Sequence, residues 1–300
     1  MKPEPSFFEE EIRCGYTVSA AMKRVWSIQL ELLAGVRRVC REQGLRYFAA
    51  GGTLLGAVRH GGYIPWDDDI DLVMLREDYD RLCAVGARAF SPPYFFQSAD
   101  TDRGYARGHV QLRRDGTAAI LPEEGARFPF HQGIFLDIFP LDGVPEDPRA
   151  FRAQRRRLIR YERLLNATVR YPAHPHKTLL TDMAHRAASI IPYRRLLAGL
   201  ERTARQYSSP AATRVAALTF QPRQTPPLYP AEAYASAQTV PFEYMTVEIP
   251  AGYDRILRLQ YGDYETPRQD PSLHGRLLLD PGRNYTDCFS QLPTRSGGFQ

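Results

Sequence analysis

Residues 62–71 read "GYIPWDDDID", with four aspartates between positions 67 and 71, just after Ile64 and Trp66. Like charges at this density repel one another. If residues 69–75 form a strand, Asp69 and Asp71 point to one face, with Cα atoms about 6–7 Å apart. Their carboxylates could then converge on one or two hard divalent cations, with substrate phosphates completing the shell. Such an ion would offset the repulsion. The plainer reading is a solvated acidic turn leading into a strand at Ile70. Asp67 and Asp68 read as structural, capping a turn or orienting their neighbours.

Asp137 interrupts the apolar run "IFLDIFPL". A carboxylate in a buried strand must be satisfied, because stranding it costs several kcal/mol. A third metal-directed carboxylate or a general base explains it; the alternative is an Asp at the core's edge paired with an arginine. Asp142, in "LDGV", reads as turn chemistry. Gly51-Gly52-Thr53 follows a short strand and opens a helix, and Gly52 stands 17 residues before Asp69. Backbone N–H groups at such a start, with the helix dipole behind them, suit a phosphate.

The elements that must position these residues are legible from periodicity. Apolar residues at Val18, Met22, Val25, Leu32, Val36 and Val39, with Gly44 as the stop, predict an amphipathic helix over 18–43. "LRYFAA" predicts a strand, and "TLLGAVRH" a short helix capped by Thr53 and ended at Gly61-Gly62. "IDLVML" predicts a buried strand and "EDYDRLCAVGARAF" a helix. "PYFFQS", "GHVQLRRDG" and "TAAIL" predict further strands. "GIFLDIFPLDGV" predicts one more, ended by Pro140. From 148 the pattern turns helical, with Asp147 as cap and Pro148 in the first turn. "QPRQTPPLYP" (221–230) is a Pro-rich connector, "TVPFEYMTVEIP" returns to strand character and "YDRILRLQYGDY" to a helix. The expected fold class is α/β (α+β), a mixed sheet with flanking helices and a helical insertion. Residues 1–146 form the expected core, 147–220 a helical region and 221–300 a C-terminal segment completing the site.

With 300 residues and 43% hydrophobic content, the chain can bury a substantial core. Lys and Arg number 39 against 34 Asp and Glu, a net +5. This mild excess suits anionic substrates or surfaces and does not by itself argue for nucleic acid. Cys14, Cys40, Cys83 and Cys288 lie far apart, without CxxC spacing, and read as free, mostly buried thiols of a reducing compartment. "MKPEPSFFEEEI" lacks the apolar stretch of a signal peptide, and no run of 18 apolar residues occurs. The expected location is the cytoplasm.

"GGTLLGAVRHGGYIPWDDDIDLVMLREDYDRL" together with "GIFLDIFPLDGVP" closely resembles the LicD family, which includes phosphorylcholine transferases and fukutin-type ribitol-phosphate transferases. "YGDYETPRQDPSLHG" resembles that family's C-terminal motif. The resemblance implies a nucleotidyltransferase-like fold with a Gly-Gly-Ser/Thr turn, two carboxylates around one hydrophobic residue and a third on a later strand. Here these fall on Gly51, Gly52, Thr53, Asp69, Asp71 and Asp137. It implies transfer of a phosphoalcohol from a CDP-activated donor to a glycan hydroxyl, as in phosphocholine decoration of lipopolysaccharide. Tyr63 stands where the family has Phe. The family's basic K-[IV]-R-D segment reads "LRRD", which leaves the phosphate-binding role open between Arg113 and Arg114.

On both readings, Asp69, Asp71 and Asp137 would hold Mg²⁺ (or Mn²⁺), which would bridge the donor pyrophosphate and neutralise charge on the moving phosphoryl group. His274 is a candidate pocket residue. Arg59 and His60, ending the short helix, read first as dipole partners, and His174 and His176 lack ligand partners for zinc. If the alcohol is choline, its quaternary ammonium wants aromatic faces, for which Trp66, Tyr63, Phe95, Tyr261 and Tyr264 are candidates.

The helix from 148 carries seven arginines between Arg149 and Arg163. They read as a solvated face or, more sharply, as contact with an anionic membrane surface on the inner side. The apolar stripe of Phe151, Leu158, Tyr161 and Leu165 is expected to pack on the sheet domain. The carboxylate pattern also fits a nucleotidyltransferase that moves NMP and releases pyrophosphate. A non-catalytic binding module has no need of three converging charges.

Overall fold

The computed structural model describes residues 3–122, 124–169, 190–220, 222–267 and 277–292. A hairpin of β1 (Glu11–Arg13) and β2 (Tyr16–Val18) leads into helix α1 (Ala20–Gln43). The Ser19 side chain accepts from the Met22 N–H at the start of α1, and Gly44 adopts the left-handed conformation at its end. The apolar stripe of α1 (Trp26, Leu30, Leu33, Val36) is buried in the main core.

Strand β3 (Phe48–Ala49) feeds helix α2 (Gly51–His60). Strand β4 (Asp71–Leu75) passes directly into α3 (Arg76–Ala89). Next come β5 (Tyr94–Gln97), β6 (Val110–Arg114), β7 (Ala118–Ile120) and the long β8 (Phe135–Gly143). Helices α4 (Pro148–Val169) and α5 (Tyr193–Ala204) follow. Asp147 caps α4, its carboxylate accepting from the N–H of Arg149 at 2.9 Å. The chain returns through β9 (Arg214–Ala216), β10 (Tyr229–Pro230), the hairpin β11 (Ala237–Phe242) and β12 (Met245–Pro250), and α6 (Tyr253–Tyr261). Strand β13 (Leu278–Asp280) pairs with β7, ahead of α7 (Tyr285–Cys288).

The main sheet is mixed. Strand β4 lies between antiparallel β3 and parallel β8. The other edge of β8 is shared: β6 pairs with residues 135–138, whereas β9 pairs with 142 and 143. The α+β class and mixed sheet agree with the sequence reading.

Two local expectations are corrected. Strand β8 does not end at Pro140. Proline has no N–H to give, and Pro140 falls where the strand has left β6 and not yet met β9. Asp142 is accordingly no turn residue: it is fully buried in the strand and accepts from Arg76 Nε at 2.7 Å and Nη2 at 2.8 Å. The four cysteines are free thiols, with Cys40 and Cys288 buried.

Leu158 and Leu165 of α4 pack mainly with Leu196, Leu197 and Leu200 of α5 and not on the sheet as expected; Val144 and Ala216, just past the end of β8 and in β9, join the same cluster. Among the described residues, no helix is long and apolar enough to cross a membrane.

Candidate active site

The acidic loop is held from beneath by α1. Trp26 Nε1 donates to the Asp67 carbonyl at 3.0 Å, and Gln29 Nε2 to the Asp68 carbonyl at 2.7 Å. The Tyr63 ring stacks on Trp26 with centroids 4.4 Å apart, and its hydroxyl donates to Gln29 Oε1. Burying these polar groups is tolerable because each finds a partner. The backbone that carries the aspartates is thereby fixed by side chains some forty residues upstream.

Strand β4 begins at Asp71, two residues later than the sequence suggested, although the Asp137 N–H still donates to the Ile70 carbonyl at 2.9 Å. The parallel register sets Asp71 directly beside Asp137, so both side chains lie on one face of the sheet. Burial and then the charges of Asp71, Asp67, Asp68 and Asp137 push the Asp69 carboxyl well above the usual range. The carboxylates of Asp67, Asp68 and Asp69 also approach one another, with ligand atoms all within 4.8 Å. Among the described residues that trio, and not Asp69, Asp71 and Asp137, meets at metal-ligand spacing.

The start of α2 closes against it. Gly51 has φ +53°, and a Cβ there would sit 3.3 Å from Asp71 Oδ2. A Cβ on Gly52 would lie 2.4 Å from Asp67 Oδ2. Thr53 is not the cap: Ala50 occupies that position, and the Thr53 hydroxyl instead accepts from the Asp71 N–H at 2.9 Å. Gly52→Ala is expected to destabilise the fold by about 1–3 kcal/mol through overpacking and to lower activity, checked by urea unfolding and turnover on one preparation.

Asp137 is supported by a row of polar side chains on β6 and the residue before it. Gln111 Nε2 donates to Asp137 Oδ1 at 2.6 Å, and His109 Nε2 lies 3.0 Å from the same oxygen. Burial alone would raise the Asp137 carboxyl, but His109, then Arg107 and Gln111, hold it below the usual range. The His109 ring packs on Phe139 with centroids 4.5 Å apart. Sequence reasoning missed His109 and Gln111. Their signal was available as a polar alternation at 109, 111 and 113 between the apolar Val110 and Leu112. His109→Ala is expected to weaken divalent-ion activation or turnover about ten- to a hundredfold, read from activity against metal concentration.

The arginines of "LRRD" take other places. Arg113 is buried, donating to Gln97 Oε1, the Gly133 carbonyl and Gln111 Oε1, and its guanidinium lies over the Phe135 ring. It positions Gln111, which in turn holds Asp137. Arg114 lies near Glu31 at 3.6 Å and donates to the Asp115 carbonyl. The structure does not bring either guanidinium into contact with the acidic loop.

His60 Nε2 accepts from Arg59 Nε at 2.9 Å, and burial followed by the Arg59 charge holds the imidazole below its ordinary range. His274, His174 and His176 lie outside the described residues. Among the aromatic candidates, Tyr63 is committed to the core and Phe95 stacks on His131. Tyr264 packs against the core, and Trp66, half-buried, meets Tyr16 edge-on. Tyr261 lies near the acids: burial, then Asp71 and other neighbours including Asp67, push its phenol up.

A cleft of about 270 Å³ opens beside the carboxylates, where β8 changes partner. Gly51 and Asp71 form one wall, and Phe139, Phe220, Tyr229 and Tyr234 are among its aromatic lining. The donor set is all oxygen, and its crowded acids push the Asp69 carboxyl up. That chemistry fits a hard divalent ion such as Mg²⁺ or Mn²⁺.

Carboxylates on adjacent strands of a mixed sheet, beside a Gly-Gly helix start, are the arrangement that the resemblance implied. Residues 44–115 match the family described as "LicD/FKTN/FKRP, nucleotidyltransferase domain", in line with the resemblance of the motifs. Over 120 residues it is 35% identical to the lipopolysaccharide cholinephosphotransferase LicD of Haemophilus influenzae, covering 40% of this chain and 44% of that protein. Over 40 residues it is 55% identical to the human ribitol 5-phosphate transferase FKRP, covering 13% of this chain and 8% of that one. An uncharacterized Rickettsia prowazekii protein, RP689, is 42% identical over 48 residues, 16% of this chain and 18% of its own. The chain thus spans less than half the length of these curated relatives.

Proposed function

We propose that the protein transfers a phosphoalcohol, phosphocholine foremost, from a CDP-activated donor to a hydroxyl of a cell-surface glycan or lipid-linked sugar. The observation that carries this reading is the register of Asp71 beside Asp137 on adjacent parallel strands, with Asp69 within the field of both. The likeness to a cholinephosphotransferase supports the choice of alcohol. The aromatic lining of the cleft suits the organic part of such a donor.

Asp69, Asp71 and Asp137 would hold Mg²⁺ or Mn²⁺, with Asp67 and Asp68 adding negative charge next to them. When bound, the ion supplies neutralisation of phosphate charge. The N–H groups at the start of α2 orient phosphate oxygens, and Gly51 and Gly52 leave room for the Asp71 and Asp67 carboxylates to close against that helix start. Gln111 and His109 fix the Asp137 carboxylate, and Arg113 fixes Gln111. The acceptor oxygen bonds to the phosphorus that carries the alcohol, the bond to the CMP oxygen breaks, and the hydroxyl proton passes to a site carboxylate or to water.

The test is incubation with CDP-choline, CDP-ribitol and CDP-glycerol, with Mg²⁺ and a glycan acceptor, scoring CMP. CMP release is expected, fastest with CDP-choline. The rival reading, transfer of NMP, places the attacked phosphorus elsewhere and is supported instead by pyrophosphate release from CTP.

A further inference from the structure

Helices α4 and α5 together carry ten arginines against two glutamates, Glu162 and Glu201. All of these arginines except Arg155 are exposed. The two acids are engaged elsewhere: Glu162 meets Arg223 at 3.0 Å, and Glu201 meets Arg205 at 3.6 Å. Because the leucines of both helices face each other, the outward face is left almost purely cationic. Fixed like charges cost stability through self-repulsion unless a counter-charge covers them.

Charge alone would suit any polyanion. The second observation is apolar. Ile190 and Ile191, just before α5, are 81% and 39% exposed, although isoleucine is among the residues most often buried. A groove of about 650 Å³ between the helices joins the two features. Arg157, Arg160 and Arg202 contribute guanidinium groups to it, and Tyr161, Leu164 and Ile191 contribute apolar surface. Guanidinium groups matched to phosphate, with apolar side chains at the same depth, fit an anionic amphiphile better than a nucleic acid, which offers no hydrocarbon. The groove shares no lining residue with the carboxylate cleft.

We propose that the packed pair of helices α4 and α5 docks the protein on an anionic phospholipid bilayer, arginines on the headgroup phosphates and Ile190 and Ile191 in the acyl boundary. Electrostatic attraction and apolar insertion each contribute, so neither alone reproduces the affinity. This binding is independent of the transfer reaction and does not rest on its donor or acceptor.

Flotation of the full chain with vesicles tests it. Binding is expected to phosphatidylcholine vesicles containing about a third phosphatidylglycerol and not to pure phosphatidylcholine, and to fall as salt rises. Arg156→Glu with Arg160→Glu is expected to weaken it at least about tenfold, since each basic residue near the surface contributes roughly fivefold. Ile190→Ser with Ile191→Ser is expected to weaken it severalfold at unchanged charge. Thermal melts accompany each variant, and Arg156→Gln with Arg160→Gln replaces the charge reversal if that variant melts early. No flotation, equal flotation with neutral vesicles, or unchanged binding by the isoleucine variant overturns the proposal. So does a duplex DNA oligonucleotide that binds more tightly than the vesicles.

Discussion

Asp71→Asn is expected to reduce turnover at least about a thousandfold while leaving the chain folded, because the amide keeps the shape and removes the charge that phosphate chemistry requires. Asp69→Asn is expected to match it. The two variants differ from an ordinary loss of structure in the sign of their effect on stability. Asp69 sits among Asp71, Asp67, Asp68 and Asp137, and its carboxyl is raised well above the usual range. A group raised on folding contributes stability that is complete below the ordinary aspartate pKa and is lost as pH rises through the folded value. In chelator at neutral pH, Asp69 therefore costs the fold stability relative to an uncharged side chain. Asp69→Asn should melt at a higher temperature than the wild type there and show a flatter pH profile. Adding Mg²⁺ should raise the melting temperature of the wild type and barely move the variant. Thermal melts with and without Mg²⁺, beside an activity assay, check all three; a variant that stays active dismisses the assigned role of the carboxylate.

Arg76→Ala should produce the largest loss of stability, about 3–5 kcal/mol, by leaving Asp142 charged and unpaired inside the protein. Asp142 is fully buried, Arg76 is 7% exposed, and the pair is bidentate, with a further hydrogen bond from Ser208 to Asp142. Burial pushes the Asp142 carboxyl up even with Arg76 beside it, so the pair only offsets its own desolvation. Arg76→Met combined with Asp142→Leu should then cost much less than Arg76→Ala alone. Urea unfolding of the single and double variants measures the difference. Equal losses would mean that the ion pair is not what holds this end of β8.

The acidic centre was legible because its residues break local rules. A carboxylate in an apolar strand and four aspartates in a short loop are both costly unless something neutralises them. Helices α1 and α4 were legible because period and caps agree, Ser19 and Gly44 for one and Asp147 for the other. What local sequence does not carry is partnership. Pro140 looked like the end of a strand because the exchange of β6 for β9 along β8 joins segments far apart in the chain. Asp142 looked like a turn residue because its partner, Arg76, is 66 positions away. His109 and Gln111 acquire meaning only once β6 is known to lie against Asp137. Thr53 was assigned to the wrong end of its own job: as a side chain it serves Asp71, not its helix.

On the proposed function, the exchange of partners along β8 would divide the labour of specificity from that of reaction. Among the described residues, β9 meets β8 at its far end, through the pairs Asp142–Ala216 and Gly143–Val215 and a bond from the Val144 N–H to the Arg214 carbonyl at 2.9 Å, and Ala217, Phe220 and Gln224 beyond it border the cleft. Asp137 belongs to the half of β8 that β6 secures. Lengthening or reshaping the β9–β10 connection would thus remodel what the cleft admits without disturbing the register of Asp71 and Asp137, and selection could shift the alcohol while conserving the engine.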